Sequence, residues 1–146
     1  MDITIDVGGY RLNVRAGVVI MHNSKILLHR NINSDHYAMI GGRVEDGETP
    51  LDAAIRECHE ELSDSCKFDE SLFELVMDFD EIATSDGVTK IHFYVFKYNG
   101  ELKDEPITGD EIEKFLWYQT SDGVDILSNT LKNEVVPYAI ENGYID

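Results

Sequence analysis

Arg56, Glu57, Glu60 and Glu61 stand close enough together to act as one ionisable group, inside the stretch GGRVEDGETPLDAAIRECHEELSD from Gly41 to Asp64. At 3.6 residues per turn, Glu57, Glu60 and Glu61 share one helix face, while Leu51, Ala54, Ile55, Cys58 and Leu62 make a separate apolar stripe. Thr49 is the expected N-cap, with Asp52 three residues on and Pro50 at the first helical position, where its missing N–H costs nothing. The predicted helix therefore packs one face and presents three carboxylates on another. Like charges at these spacings cost about 0.2–0.5 kcal/mol a pair, and the C-terminal end of the helix dipole adds about 0.3–1 kcal/mol for each acid. Clustered hard oxygens are, however, what a divalent cation such as Mg2+ takes as ligands. A solvated acidic helix is the plainer alternative, and the helix by itself does not decide between the two.

The spacing around the helix is more specific. Gly42, Glu48, Arg56, Glu57, Glu60 and Glu61 fit G-x5-E-x7-R-E-U-x-E-E-x-G-U, with U an apolar residue. This pattern resembles the signature of the Nudix hydrolases, with MutT-like members. Two positions depart from it: Ser63 stands where the family has glycine and Asp64 where it has an apolar residue, both at the exit of the helix. The resemblance implies an α+β fold, an α/β/α sandwich with a mixed β-sheet between helices, over one domain spanning 1–146.

Composition agrees with a folded domain and narrows its partners. The chain has 146 residues, 42% of them hydrophobic, and a formal net charge of −17 from 12 Lys and Arg against 29 acids. Such a surface disfavours nucleic-acid polymers and anionic membranes as partners. A small phosphorylated substrate remains compatible if bound cations accompany it. Cys58 and Cys66 have no CxxC spacing, no apolar run approaches the ~20 residues of a membrane span, and the N-terminus lacks a signal-peptide plan. A reduced cytoplasmic protein is the expectation, monomer or homodimer.

The supporting elements can be read in order. Ile3–Val7 and Tyr10–Val14 alternate around Gly8-Gly9, as an antiparallel pair would, and Ala16–Met21 and Ile26–Leu28 flank a turn as two further, buried strands. Tyr37–Ile40 is a short strand leading to a glycine turn at Gly41-Gly42. Leu72–Ile82 and Thr89–Tyr98 are long strands joined by Thr84-Ser85-Asp86-Gly87, the second of them central because both faces are apolar. Phe79 or Tyr94 is available to stack on a base, with core packing the more ordinary use. A polar loop from Asn99 to Glu113 leads to a last strand, Phe115–Gln119, and then to helices over Val124–Leu131 and Pro137–Asn142, the latter capped by Gly143. P-loop, dinucleotide-fold, zinc-protease and nucleophile-elbow motifs are absent, and none of the five histidines sits in an H-E-x-x-H pair.

The resemblance then implies roles. Glu57, Glu60 and Glu61, with the Gly41 carbonyl, would hold Mg2+, for which Mn2+ could substitute. Glu48 and Arg56 would form a structural ion pair, with Gly42 in the turn, and Arg30 and Arg43 are the residues to meet substrate phosphate. The base that takes a proton from water is Glu60 or an acid of the loop before the last strand, Glu111 first, with Glu113 and Asp110 close behind. The expected reaction is hydrolysis of a nucleoside diphosphate linked to another moiety. The proline of the family's ADP-ribose hydrolases, the tyrosine of its diadenosine polyphosphate hydrolases and the SQPWPFPxS run of its NADH type are missing, which favours a nucleoside triphosphate or other small nucleotide. An ADP-ribose or nucleotide-sugar pyrophosphatase, a non-catalytic nucleotide-binding regulatory module, and a helix merely stabilised by a cation are the alternatives.

Overall fold

The computed structural model describes residues 4–7, 10–62, 66–82, 87–108 and 111–146. Seven strands form one mixed sheet: β1 (Thr4–Val7), β2 (Tyr10–His22), β3 (Lys25–Asn31), β4 (Ala38–Arg43), β5 (Phe73–Ile82), β6 (Thr89–Tyr98) and β7 (Ile112–Tyr118). The order is β5-β6-β2-β4-β3-β7, with β1 on β2. The β2–β6 pair is parallel, and every other pairing is antiparallel. Helix α1 (Pro50–Glu61) lies on one face and α2 (Val136–Glu141) on the other, giving the α+β sandwich.

Strand alternation builds two cores, one on each face. Ala16, Val18, Ile20, Leu27, Ile40, Phe96 and Tyr98 turn toward Ala53, Ala54, Cys58 and Leu62 of the α1 segment. Val19, Ile26, Leu28, Ile91, Phe93 and Val95 turn toward Leu131, Val135, Val136 and Ala139. The two apolar faces expected of β6 are thus both used, and the strand runs between β5 and β2. Phe79 stacks on Phe93 with ring centroids 5.5 Å apart, and Tyr94 packs edge-on to His92, so both aromatics belong to packing and not to a base platform.

Four local expectations are corrected. Tyr10–Val14 and Ala16–Met21 are one strand, because Arg15 continues the alternation and residues 11–20 pair in unbroken register with 89–98. Gly41 and Gly42 lie within β4 and form no turn; Gly41 sits opposite Gly17 of β2 at φ 153°, where a Cβ would collide with the Ala16 carbonyl. Val124–Leu131 is helical only from Asn129: a 3-10 turn at Thr120–Asp122 leads to a bridge between Leu127 and Tyr37, which therefore lies outside β4. Helical backbone then runs through a π turn, Leu131–Val135, closed by the Val136 N–H on the Leu131 carbonyl one residue before Pro137, which has no N–H to give. Finally, Ala53 is fully buried beside Ala54 and Cys58, whereas Leu51 and Ile55 are only half-buried.

Other expectations hold. Asn23 and Ser24, at φ 51° and 60°, make the two-residue hairpin between β2 and β3. Gly143, at φ 73°, caps α2, with the Tyr144 N–H reaching the Ala139 carbonyl at 2.8 Å. Cys58 and Cys66 are free and buried. Among the described residues no helix is long and apolar enough to cross a membrane. The Gly8-Gly9 turn, Ser63, Asp64, the tip Thr84–Asp86 and Asp110 lie outside the described residues.

The start of α1 is set by a full capping box: the Thr49 hydroxyl accepts from the Asp52 N–H at 3.1 Å and the Asp52 carboxylate accepts from the Thr49 N–H at 3.1 Å. Thr49→Ala removes the hydroxyl that accepts from the Asp52 N–H, leaves the backbone N–H that donates to the Asp52 carboxylate, and should lower unfolding stability by about 1 kcal/mol, read from urea denaturation.

Candidate functional site

The far end of α1 lies beside β4, and the two glycines of β4 decide how close it comes. Gly42 leaves the space that the Glu57 carboxylate fills, since a Cβ there would overlap its oxygens. The Gly41 N–H donates to Glu61 Oε1 at 3.0 Å. Glu57 and Glu61 are consequently drawn inward, with side chains 14% and 13% exposed, while Glu60 at 57% faces solvent. The face expected to present three equivalent carboxylates is therefore split into an inner pair and an outer member.

Arg56 links these acids to the preceding loop. Its Nε donates to Glu48 Oε2 at 2.7 Å and Nη2 to Glu48 Oε1 at 3.0 Å, which is the expected ion pair. Glu48 also accepts from the Glu45 N–H, and the Arg56 hydrogen bonds hold its pKa below the usual carboxylate range. In addition, Nη2 donates to the Arg43 carbonyl at 2.9 Å, and Nη1 donates to Glu57 at 2.9 Å and to Glu60 at 3.2 Å. Hydrogen bonding to Glu48 leads the causes that hold the guanidinium in its charged form, with Glu57 adding to it.

A cleft of about 600 Å3 opens over these groups, lined on one side by Gly41, Glu57, Glu60 and Glu61. The lining also includes Ile107, Thr108, Glu111 and Ile112. Glu111 is thus brought to the box carboxylates, fixed from behind by the Ile32 N–H on its carbonyl at 2.9 Å. Glu113 is not: it sits on β7 outside the cleft lining, 3.2 Å from Arg30. Arg30 itself lies on the other face of the sheet, because it follows Leu28 at the two-residue period, and its guanidinium rests over the Tyr37 ring at 5.8 Å. Arg43 meets the site through its carbonyl, and its side chain is not part of the cleft wall. The structure therefore places Arg30 away from the carboxylates, while Arg43 borders the site through its backbone.

His29 belongs to the cleft and was not singled out by any motif. Its place beside Leu27 on the helix-facing side of β3 is a signal the two-residue period already carries. The ring is 5% exposed, with Nε2 3.1 Å from the Met39 carbonyl and Nδ1 3.0 Å from Asn31 Oδ1. Burial works to lower its pKa, but the contact with Glu61, the Glu61 charge, the Met39 carbonyl and Asn31 outweigh it, and the net direction is up.

Three features fit a divalent cation at the inner pair. Burial, a hydrogen bond with Glu61 and repulsion from Glu61 raise the Glu57 pKa to about 7 against the opposing pull of Arg56, and a cation at the pair would relieve that repulsion. Glu61 Oε2 is buried with no hydrogen-bond partner. The cradle around Glu57 exists because Gly42 lacks a Cβ. Among the described residues, no three carboxylate, imidazole or thiol groups converge on one point as they stand, since the Arg56 Nη1 occupies the position between Glu57 and Glu60.

The site is thus a carboxylate-bearing helix held against a glycine pair, on a mixed sheet covered on both faces. The sequence matches the NUDIX domain over residues 11–137, and the chain belongs to that family. It is 39% identical over 59 residues to an RNA pyrophosphohydrolase of Ruthia magnifica subsp. Calyptogena magnifica; the match covers 40% of this chain and 32% of that protein, about a third of its length. Its fold is similar to that of a MutT NUDIX hydrolase from Burkholderia pseudomallei, with a TM-score of 0.68, 22% identity and 82% and 92% of the two chains covered. It is also similar to the MutT protein of Methanosarcina mazei Go1, with a TM-score of 0.72, 16% identity and 94% and 99% covered.

The raised pKa has a consequence for the cation-free protein. Between about pH 4.5 and 7 the folded chain keeps on Glu57 a proton that the unfolded chain releases, so this contribution to stability is full below 4.5 and is lost as pH rises through about 7. Glu57→Gln cannot ionise, and in chelator its melting temperature should gain on wild type steadily from pH 4.5 to 7.5. A difference that stays flat across that range would mean the carboxylate titrates normally.

Proposed function

We propose that the protein hydrolyses the pyrophosphate bond of a nucleoside diphosphate linked to another moiety, a nucleoside triphosphate or other small nucleotide being the favoured substrate. The observation that carries this reading is the inner pair, Glu57 and Glu61, lining one cleft together with Glu111. Glu57, Glu60, Glu61 and the Gly41 carbonyl would hold Mg2+, with Mn2+ able to replace it. A divalent cation there supplies the charge that lets a pyrophosphate enter an acidic cleft and stabilises the charge developing at phosphorus.

The chain's own residues do the rest. Arg56 fixes the direction of Glu57 and Glu60, and the Gly41 N–H that of Glu61. Water attacks phosphorus as the bridging P–O bond breaks, and its proton passes to a carboxylate. We assign that role to Glu111, which stands apart from the Arg56 network, ahead of Glu60, which accepts a hydrogen bond from Arg56 Nη1. The two free buried thiols support a reducing, cytoplasmic setting. The name of the curated relative makes a triphosphorylated RNA end a further substrate to test, against which a net charge of −17 weighs.

The test is release of phosphate or pyrophosphate from nucleoside triphosphates, ADP-ribose, nucleotide sugars, dinucleoside polyphosphates and a 5′-triphosphorylated oligonucleotide, with Mg2+ or Mn2+. Glu111→Gln should reduce kcat about 10²–10⁴-fold on whichever class is cleaved, with Glu60→Gln alongside. If nothing is cleaved while cation and nucleotide raise the melting temperature, the domain is a nucleotide-binding module.

A further inference from the structure

His29 touches three separate elements at the point where the inner carboxylates are held. Its Nε2–H is directed at the Met39 carbonyl of β4 at 3.1 Å, and its Nδ1 lies 3.0 Å from Asn31 at the end of β3. The same Nε2 stands 2.9 Å from Glu61 Oε2, off the N–H axis, so that this buried oxygen is crowded by the ring and yet has no hydrogen bond from it. The other oxygen of Glu61 is fixed by the Gly41 N–H. Two contacts on opposite sides of one carboxylate leave it a single orientation, and a lone pair of Oε2 is left over.

We propose that His29 is a positioning residue that sets the orientation of the Glu61 carboxylate and keeps Oε2 available to a divalent cation. This rests on the cation-binding reading of the site. The ring is anchored through Met39 and Asn31, so its place does not depend on Glu61, and it acts as a fixed wall against which the carboxylate is set. An imidazole is a costly choice at a position 5% exposed in a sheet core, where an apolar side chain beside Leu27 would pack without needing partners. Groups one shell out from a metal characteristically orient the ligands in this way, and losing one costs about 10–100-fold in metal affinity.

The experiment is Mn2+ binding without nucleotide, followed by electron paramagnetic resonance of the free ion, on wild type, His29→Leu and His29→Gln, with melting temperatures measured in chelator. His29→Leu should weaken Mn2+ about 10-fold or more while its melting temperature is held or raised, and His29→Gln, whose amide can still donate to Met39, should recover most of the affinity. Mn2+ affinity within twofold of wild type in a folded His29→Leu overturns the proposal, as does an affinity loss that tracks a loss of stability and is not recovered by Gln. If His29→Leu fails to fold, Asn31→Ala, which removes the anchor of Nδ1, should weaken Mn2+ several-fold, and an unchanged affinity overturns the proposal. Wild type that binds Mn2+ but cleaves nothing defeats the hydrolase reading and leaves this one standing; wild type that binds no Mn2+ defeats both.

Discussion

All five N–H donors of Arg56 are engaged, and the rest of the site depends on that fact. Two go to Glu48, one to the Arg43 carbonyl, and one each to Glu57 and Glu60. A guanidinium is planar and keeps its charge, so a fork filled at every position fixes a loop, a strand end and a helix face relative to one another. Lysine, with three donors on a flexible stem, could not make this set of contacts. The helix therefore meets the sheet at one depth, which is what places Glu57 over Gly42 and Glu61 over Gly41.

The glutamates run against the preferences of the helix that carries them, and the structure shows how the conflict is contained. Arg56 offsets part of the repulsion at Glu57 and Glu60, the raised pKa of Glu57 lessens that between Glu57 and Glu61, and the Gly41 N–H holds one Glu61 oxygen while the His29 ring stands 2.9 Å from the other. None of these groups serves the apolar core directly. Core burial on that side comes from Ala53, Ala54 and Cys58, small side chains that let α1 approach the sheet closely enough for the polar contacts to form. Small residues on the buried face and glycines on the facing strand are two halves of one close approach.

This explains which parts were legible in the sequence. The capping box, the Glu48–Arg56 pair, the two-faced strand β6 and the Gly143 cap are local patterns whose partners lie at fixed spacing, and they read correctly. Gly41 and Gly42 were misread because glycine in a sequence signals permission without saying what is permitted: here it is cross-strand contact with Gly17 and room for Glu57, not a change of direction. Arg30 was misplaced because its sequence neighbours do not reveal which face of β3 is which, and His29 was missed for the same reason. Val124–Leu131 has helical composition, but a turn closed by the Leu127 N–H on the Val124 carbonyl and the bridge of Leu127 to Tyr37 delay the helix until Asn129.

The electrostatics of the cleft then constrain how any phosphorylated ligand enters it. Among the described residues that line it stand four glutamates and no lysine or arginine, and the surrounding chain carries a net charge of −17. Arg56, which borders it, is already saturated by Glu48, Glu57, Glu60 and a carbonyl, so it has no donor left for a phosphate oxygen. Under the hydrolase reading, a pyrophosphate and its cations must therefore bind as a unit, each raising the affinity of the other by the same factor. On that reading, the acidity that makes the cleft repel its substrate would also make occupancy conditional on the cation, and would tie hydrolysis to the ion rather than to a basic residue among the described lining.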